Sequence, residues 1–371
     1  MKKKLLFVLA MILAATGITA LIGVAAKGPA KKEGKRVVTS FYPVYLLTQK
    51  VAEGAKGVEV WNLTSNHSGC LHDYTLKTQD MRLLSEAELF LINGGGMELF
   101  LEKAAKECKG LKIIDTSEGF EFLAGVEHHH DHAAEEDEHD HEGHAHVDED
   151  HNHEAEDHDH EEESHNEAED HDHEEEFHNE TEDHDHGELN AHLWLDVDGY
   201  LLQLTRIEAA LCEIDPAQEE LYHRNAANYR KELMRLRQDY ADAKALLSGR
   251  DTVVFHEGFV YLLNMLGIET LHCLPMDSET QISAGEAAEI IEECALHGVT
   301  VLFATEDYAE MIQRTFGTET GCRVVALHAI DSSMGALGKY GEKEGYLELM
   351  RENLNRIKVA YGMAETDQRA N

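Results

Sequence analysis

Positive charge is scarce in this chain: 32 Lys and Arg stand against 73 Asp and Glu, a formal charge of −41. A nucleic-acid binder needs a basic face to neutralise phosphates, so that class is excluded. The six cysteines (Cys70, Cys108, Cys212, Cys273, Cys294 and Cys322) form no C-x-x-C or other close pair, which removes zinc-finger spacing. His256-Glu257 begins like H-E-x-x-H, but Val260 stands where the second histidine belongs, and the metalloprotease motif fails. Gly94-Gly95-Gly96 lacks the G-x-G-x-x-G spacing of a phosphate cradle and reads as a turn. Beyond residue 26 no apolar run is long enough to cross a bilayer. No cysteine follows that first run until Cys70, so a lipobox is absent.

One segment is extreme in the opposite sense. Residues 127–186 hold 18 histidines and 29 Asp or Glu, with no Lys, Arg or Pro and no apolar pattern that could fold them. Imidazole with carboxylate is a mixed nitrogen and oxygen donor set suited to borderline divalent ions, zinc first. Asp157-His158-Asp159-His160 recurs as Asp170-His171-Asp172-His173 and Asp183-His184-Asp185-His186, a 13-residue repeat. Such duplication multiplies weak, equivalent sites, so these histidines are candidate accessory ligands on a disordered collector. Outside the segment, 32 basic residues face 44 acidic ones, an ordinary, mildly acidic globular balance.

Lys2-Lys3-Lys4 followed by an apolar run from Leu5 to about Ala26 reads as a signal peptide or, at that length, an N-terminal anchor. The chain is thus expected to be exported, to the periplasm or the outer face of the cytoplasmic membrane. Export permits disulfides, and a C-terminal pair drawn from Cys273, Cys294 and Cys322 is expected.

Short β-branched runs alternate with helical ones twice over, which implies two lobes, each a mostly parallel sheet flanked by helices. The expected organisation is an N-terminal α/β lobe at 36–126, the His/Asp/Glu-rich loop at 127–188, the rest of that lobe at 189–215, a linking helix at 216–248 and a C-terminal α/β lobe at 250–366. Pro216 fits the first turn of the linking helix, where its missing N–H costs nothing. A helix of about 30 residues reaches about 45 Å and reads as a rigid strut. In such sheets ligands bind beyond the carboxyl ends of the strands.

That rule sorts the eight histidines outside the acidic segment. His72 lies in the loop after the second strand, His192 opens His192-Leu193-Trp194-Leu195-Asp196 directly after the segment, and His256 ends the strand Thr252-Val253-Val254-Phe255. These three, drawn from both lobes, are the candidates to converge on one cleft. His67 and Cys70 are candidate accessory ligands in the His72 loop. His223 and His297 read as surface residues, while His272 and His328 read as packed within strands.

Thr39-Ser40-Phe41-Tyr42-Pro43, His72-Asp73-Tyr74, Asn93-Gly94-Gly95-Gly96, the His192 motif, His256-Glu257-Gly258-Phe259 and Leu349-Met350-Arg351-Glu352-Asn353-Leu354 occur in the order found in ZnuA-like zinc and manganese solute-binding proteins of ABC importers. The chain resembles that family from about Val38 to Tyr361. The resemblance implies a metal site in the interlobe cleft with ligands at His72, His192, His256 and, at the fourth position, Asp331. It also implies a monomer that hands Zn²⁺ to the ABC permease of its own system, with manganese or mixed-metal binding, or a zinc buffer or adhesin without transport, as alternatives. Three imidazoles suit zinc better than manganese, which favours oxygen. Four protein ligands close the site and leave no position for an activated water, so the chain is expected to bind rather than catalyse. Asp196 and Glu306 are the candidates to fix the imidazole tautomers. Departures from the family pattern are Leu71 in place of Pro, and Asn190-Ala191 and Asp196-Val197 in place of Asp-Pro on either side of the second motif.

Deleting residues 127–186 is expected to lower total zinc stoichiometry, by on the order of five ions at two to four ligands each, while leaving one tight site. Calorimetric titration of full-length and deleted protein checks this; loss of the tight site as well would make the segment part of it.

Overall fold

A computed structural model describes residues 34–65, 67, 71, 74–125, 189–276, 282–332, 334–335, 338–339 and 345–363. The N-terminal apolar run, Cys70, His72 and the histidines of residues 127–186, including His158, His160, His171, His173, His184 and His186, lie outside them.

The first lobe runs β1 (Lys35–Thr39), α1 (Tyr42–Val51), β2 (Val58–Asn62), α2 (Thr78–Ser85), β3 (Leu89–Ile92), α3 (Leu101–Glu107) and β4 (Lys112–Asp115). Pro43 sits in the first turn of α1, where it fits without loss of a bond. All four strands pair in parallel in the order β2-β1-β3-β4. Central β3, Leu-Phe-Leu-Ile, is buried throughout, whereas edge strand β2 alternates half-buried with exposed residues, the pattern of a parallel sheet covered by helices.

The chain re-enters at Leu189, makes a short 3₁₀ turn at Leu193–Leu195, and continues as α4 (Val197–Ile214) and α5 (Glu219–Leu247). The second lobe repeats the first: β5 (Asp251–Val254), α6 (Phe259–Asn264), β6 (Glu269–Cys273), α7 (Ala284–His297), β7 (Val301–Thr305), α8 (Glu306–Ile312) and β8 (Arg323–Leu327) form a parallel sheet of order β6-β5-β7-β8. A two-stranded ribbon, β9 (Met334–Gly335) with β10 (Gly338–Lys339), and α9 (Tyr346–Ala360) complete it. In each lobe the order reverses between neighbouring strands, β1 and β3 in one and β5 and β7 in the other, and a crevice opens at their carboxyl ends. His256 follows β5 at such a point.

The linking helix is more than a strut. Along α5 the buried residues Tyr222, Ala226, Tyr229, Leu233, Leu236, Tyr240, Ala243 and Leu247 alternate spacings of four and three, a seam that stays on one face of a helix. That seam packs on α1, α4 and α9. Two of its three tyrosine hydroxyls are paired: Tyr222 Oη donates to Asp215 at 2.9 Å and Tyr240 Oη to the Met350 carbonyl at 2.8 Å. One apolar core runs through both lobes, joining Val37, Phe90, Trp194, Tyr240, Val254, Phe303 and Met350. A second, smaller core lies on the other face of the C-terminal sheet, where Val253, Phe255 and Leu302 alternate with Val254 and Phe303. Among the described residues no helix is long and apolar enough to cross a membrane.

Two expectations resolve here. The Gly94-Gly95-Gly96 turn keeps all three residues at positive φ, and a Cβ on Gly94 would lie 2.0 Å from Asp115 Oδ1; it is closed internally, the Asn93 and Gly94 N–H groups donating to Glu98 at 2.7 and 3.1 Å. The expected disulfide among Cys273, Cys294 and Cys322 is not formed. All three are thiols, and buried Cys322 Sγ donates instead to the Val299 carbonyl at 3.1 Å beside the Cys294 thiol.

Burial outweighs those two backbone donors at Glu98 and pushes its carboxyl up to about 7. A carboxyl raised in the folded state contributes stability that is complete below about pH 4.5 and is lost as pH climbs through about 7. Glu98→Gln cannot ionise but loses one of the two N–H bonds. Its stability deficit relative to wild type should therefore shrink by about 2–3 kcal/mol between pH 4.5 and 7, read from paired urea unfolding curves; a constant deficit would refute the assignment.

Candidate metal centre

His192 and His256 reach the same place by different routes. His256 follows β5, whose pairing with β6 shifts register between Thr252 and Val253, and the chain turns at once into α6. His192 precedes the 3₁₀ turn, whose central Trp194 is fully buried. The indole donates Nε1–H to the Ala329 carbonyl at 2.8 Å, meets Phe41 edge-on at 4.9 Å, and lies 4.9 Å from the His192 ring. Both imidazoles are buried, and their centroids lie 5.0 Å apart with planes at 74°. Two imidazoles sharing one tetrahedral zinc at the usual Zn–N distance have centroids about 5 Å apart.

That approach depends on Gly258. A Cβ there would lie 3.0 Å from His192 Cβ, 3.0 Å from His256 Cε1 and 2.8 Å from Leu195 Cδ1. The two rings also differ in proton placement. Asn190 Oδ1 is an acceptor 3.0 Å from His192 Nδ1, which puts the proton of neutral His192 on Nδ1. Glu257 Oε2 is 3.7 Å from the same nitrogen. At His256, Nδ1 accepts from the Gly258 N–H at 3.2 Å, which puts the proton of the neutral ring on Nε2.

Asp331 is half-buried just past β8. Burial pushes its carboxyl up, with Asp307 adding to the effect. The residue before it, buried Ile330, has φ +56°, a left-handed conformation that a β-branched side chain adopts only under constraint. The Trp194 to Ala329 bond and the burial of Ile330 supply that constraint.

The two carboxylates expected to orient the imidazoles have other partners. Asp196 caps α4, accepting from Asp198 and Gly199 N–H at 2.7 and 3.0 Å, and burial raises its carboxyl. Glu306 accepts from Arg356 at 3.0 Å and lies 3.5 Å from His328 Nδ1. His328 is buried just beyond β8 rather than within it, with Glu352 3.4 Å from Nε2; burial and the nearby Arg356 guanidinium hold its imidazole below the usual range. His67 rests edge-to-face on Tyr74 at 5.2 Å. His223 and His297 are exposed beside Glu208 and Asp251. His272 is half-buried, 4.0 Å from Glu293. Among the described residues no three His, Cys, Asp or Glu side chains converge as a ligand set. Asn190, Glu257 and Gly258 also shape this centre, and each stands within two residues of His192 or His256.

A sequence model of the family described as "Zinc-uptake complex component A periplasmic" matches residues 37–360. The zinc-binding protein AdcA of Streptococcus pyogenes is 23% identical over 370 residues, 98% of this chain and 62% of its own length; the chain thus spans less than two thirds of that relative. The high-affinity zinc uptake system protein ZnuA of Bacillus subtilis is 23% identical over 338 residues, 90% of each chain. The Zn(II)-bound ZnuA-like domain of AdcA from Streptococcus pneumoniae superposes with a TM-score of 0.62 at 19% identity, covering 88% of this chain and 98% of that one, a likeness of fold.

Gly258 has helical backbone angles, so on conformation alone Ala would be the better residue there. Crowding should reverse the sign: Gly258→Ala is expected to lower stability by about 1–3 kcal/mol and to weaken zinc binding at least about tenfold. Urea midpoints and competition with a chromophoric chelator read the two effects, and unchanged affinity would show that the ring spacing is not held by this residue.

Proposed function

The chain belongs to the ZnuA family of zinc-uptake components, and from that membership we propose that it captures Zn²⁺ outside the cytoplasmic membrane and delivers it to an ABC permease for import. The ion is bound between the lobes by His72, His192, His256 and Asp331. The observation that carries this reading is the buried pair His192 and His256, 5.0 Å apart where the second sheet's strand order reverses.

Physical chemistry favours zinc as the cargo. Imidazole nitrogen is a better donor for zinc than for manganese, and at least two of the four ligands are buried imidazoles. Burial raises the Asp331 carboxyl, and a carboxylate must be deprotonated to ligate, so metal and protons compete there. At His256, ligation through Nε2 would shift the ring proton to Nδ1, releasing none, and would end the Gly258 contact. Four protein ligands leave the ion without an open position, which suits carriage rather than catalysis. The acidic, histidine-rich residues 127–186 serve as a low-affinity reservoir for the same ion.

Replacing His72, His192 and His256 together with Ala is expected to abolish tight zinc binding while the residues 127–186 retain weak capture. Parallel titrations with zinc and manganese by chelator competition test this. Retained nanomolar zinc affinity in the triple variant, or tighter binding of manganese than zinc by wild type, would overturn the reading.

A further inference from the structure

The chain on either side of residues 126–188 is fastened to the metal centre by a short run of hydrogen bonds. Ala124 and Leu189 form an antiparallel bridge, and the Asn190 N–H donates to the Leu123 carbonyl at 3.0 Å. Tyr261, on α6 just beyond His256, ties both strands at once: its hydroxyl accepts from the Leu123 N–H at 3.0 Å and donates to the Asn190 carbonyl at 2.8 Å. Burial raises the phenol to about 12, so the hydroxyl keeps the proton it donates.

Asn190 is itself buried and uses both ends of its side-chain amide. Its Nδ2 donates to the Glu257 carbonyl at 3.0 Å, which fixes the amide orientation because only the NH₂ end can face a carbonyl. The opposite end, Oδ1, is then an acceptor for the His192 backbone N–H at 3.2 Å and for Nδ1 of the same residue at 3.0 Å. A side chain that holds a histidine by both backbone and ring leaves it little freedom in tautomer or torsion.

We infer that Asn190 is a positioning residue for metal capture: with Tyr261 holding its backbone, it presets His192 with the proton on Nδ1 and the ligating lone pair on Nε2. This rests on the zinc-binding reading and adds a specific role for a residue that is not a ligand. A partner on the non-ligating nitrogen of a metal-bound histidine fixes ring orientation, and its removal commonly weakens metal binding about 10- to 100-fold. Here the partner is a neutral amide, nearer to Nδ1 at 3.0 Å than the Glu257 carboxylate at 3.7 Å. The Glu257 carbonyl belongs to the residue after His256, so the same amide also links the two histidine segments.

The experiment uses full-length protein labelled with ¹⁵N-histidine, with His192→Ala to assign the resonance. Long-range proton–nitrogen correlation spectra of the metal-free wild type should report His192 as the Nδ1–H tautomer. Asn190→Ala should lose that signature and bind zinc about 10- to 100-fold more weakly, by chelator competition. Asn190→Asp keeps an acceptor at the same place and should restore the tautomer and most of the affinity, which a residue needed only for packing would not do. Tyr261→Phe keeps the ring and should shift both readouts in the same direction by less; it carries the test if Asn190→Ala does not fold. Wild-type tautomer and affinity within twofold in Asn190→Ala, or in Tyr261→Phe where only that variant folds, would overturn the inference. Failure of wild type to bind zinc tightly would instead remove the functional reading, while the metal-free spectra would still report whether Asn190 sets the ring.

Discussion

The bond from the buried Trp194 indole to the Ala329 carbonyl is the contact on which the rest of the site depends. An indole N–H withdrawn from water must find an acceptor, and leaving either partner unpaired costs on the order of 1–3 kcal/mol. The acceptor lies in the second lobe, and the ring also packs against Phe41 of the first. The segment that carries Trp194 is secured again where Tyr346 Oη donates to the Trp194 carbonyl at 2.7 Å and its ring stacks on Tyr200 at 3.7 Å. His192 stands two residues to one side of this anchor. Across the bond, Asp331 stands two residues beyond Ala329, and the backbone between them is forced into the left-handed conformation at Ile330. Strain of that kind persists only where the surroundings over-determine it.

Two sheets of identical strand order set the other half of the geometry. Each reverses its connections between adjacent parallel strands, and the crevices so formed are the places where irregular backbone and polar side chains can gather without disrupting a ladder. A continuous apolar core and the α5 seam hold the sheets as one framework. Against that framework burial acts on charge. It raises the Asp331 carboxyl and lowers the His328 imidazole, in each case disfavouring the charged form.

Much of this was legible in the sequence because parallel sheets write themselves in short apolar runs: β3 and β7 are nearly continuous hydrophobics, and the strand expected at Thr252–Phe255 is observed at Asp251–Val254. The linking helix was legible in length but not in its packing, because its seam is made largely of Tyr and Ala, which read as polar or neutral until their neighbours are known. His192 and His256 were legible as candidates from their places next to a motif and a strand end. Gly258, Asn190 and Tyr261 did not, because what they do depends on contacts made across the fold: the Asn190 amide reaches residue 257, and the Tyr261 hydroxyl reaches residue 123. Disulfide pairing was illegible for a related reason, since spacing along the chain says nothing about whether two thiols face each other.

The position of affinity in this molecule follows from separating distance from direction. The absence of a side chain at Gly258 lets two imidazoles approach within the span of one ion; any Cβ would force them apart however well they were aimed. The amide of Asn190 aims one of those rings; without it the spacing would be correct and the lone pair free to turn away. Neither residue resembles a ligand in sequence. Donors that must be fixed on binding carry an entropy cost that opposes every ion they bind. In the zinc-binding reading proposed above, the eighteen histidines within residues 127–186 would add capacity, and the two buried imidazoles, held at a set distance and one of them in a set tautomer, would add affinity.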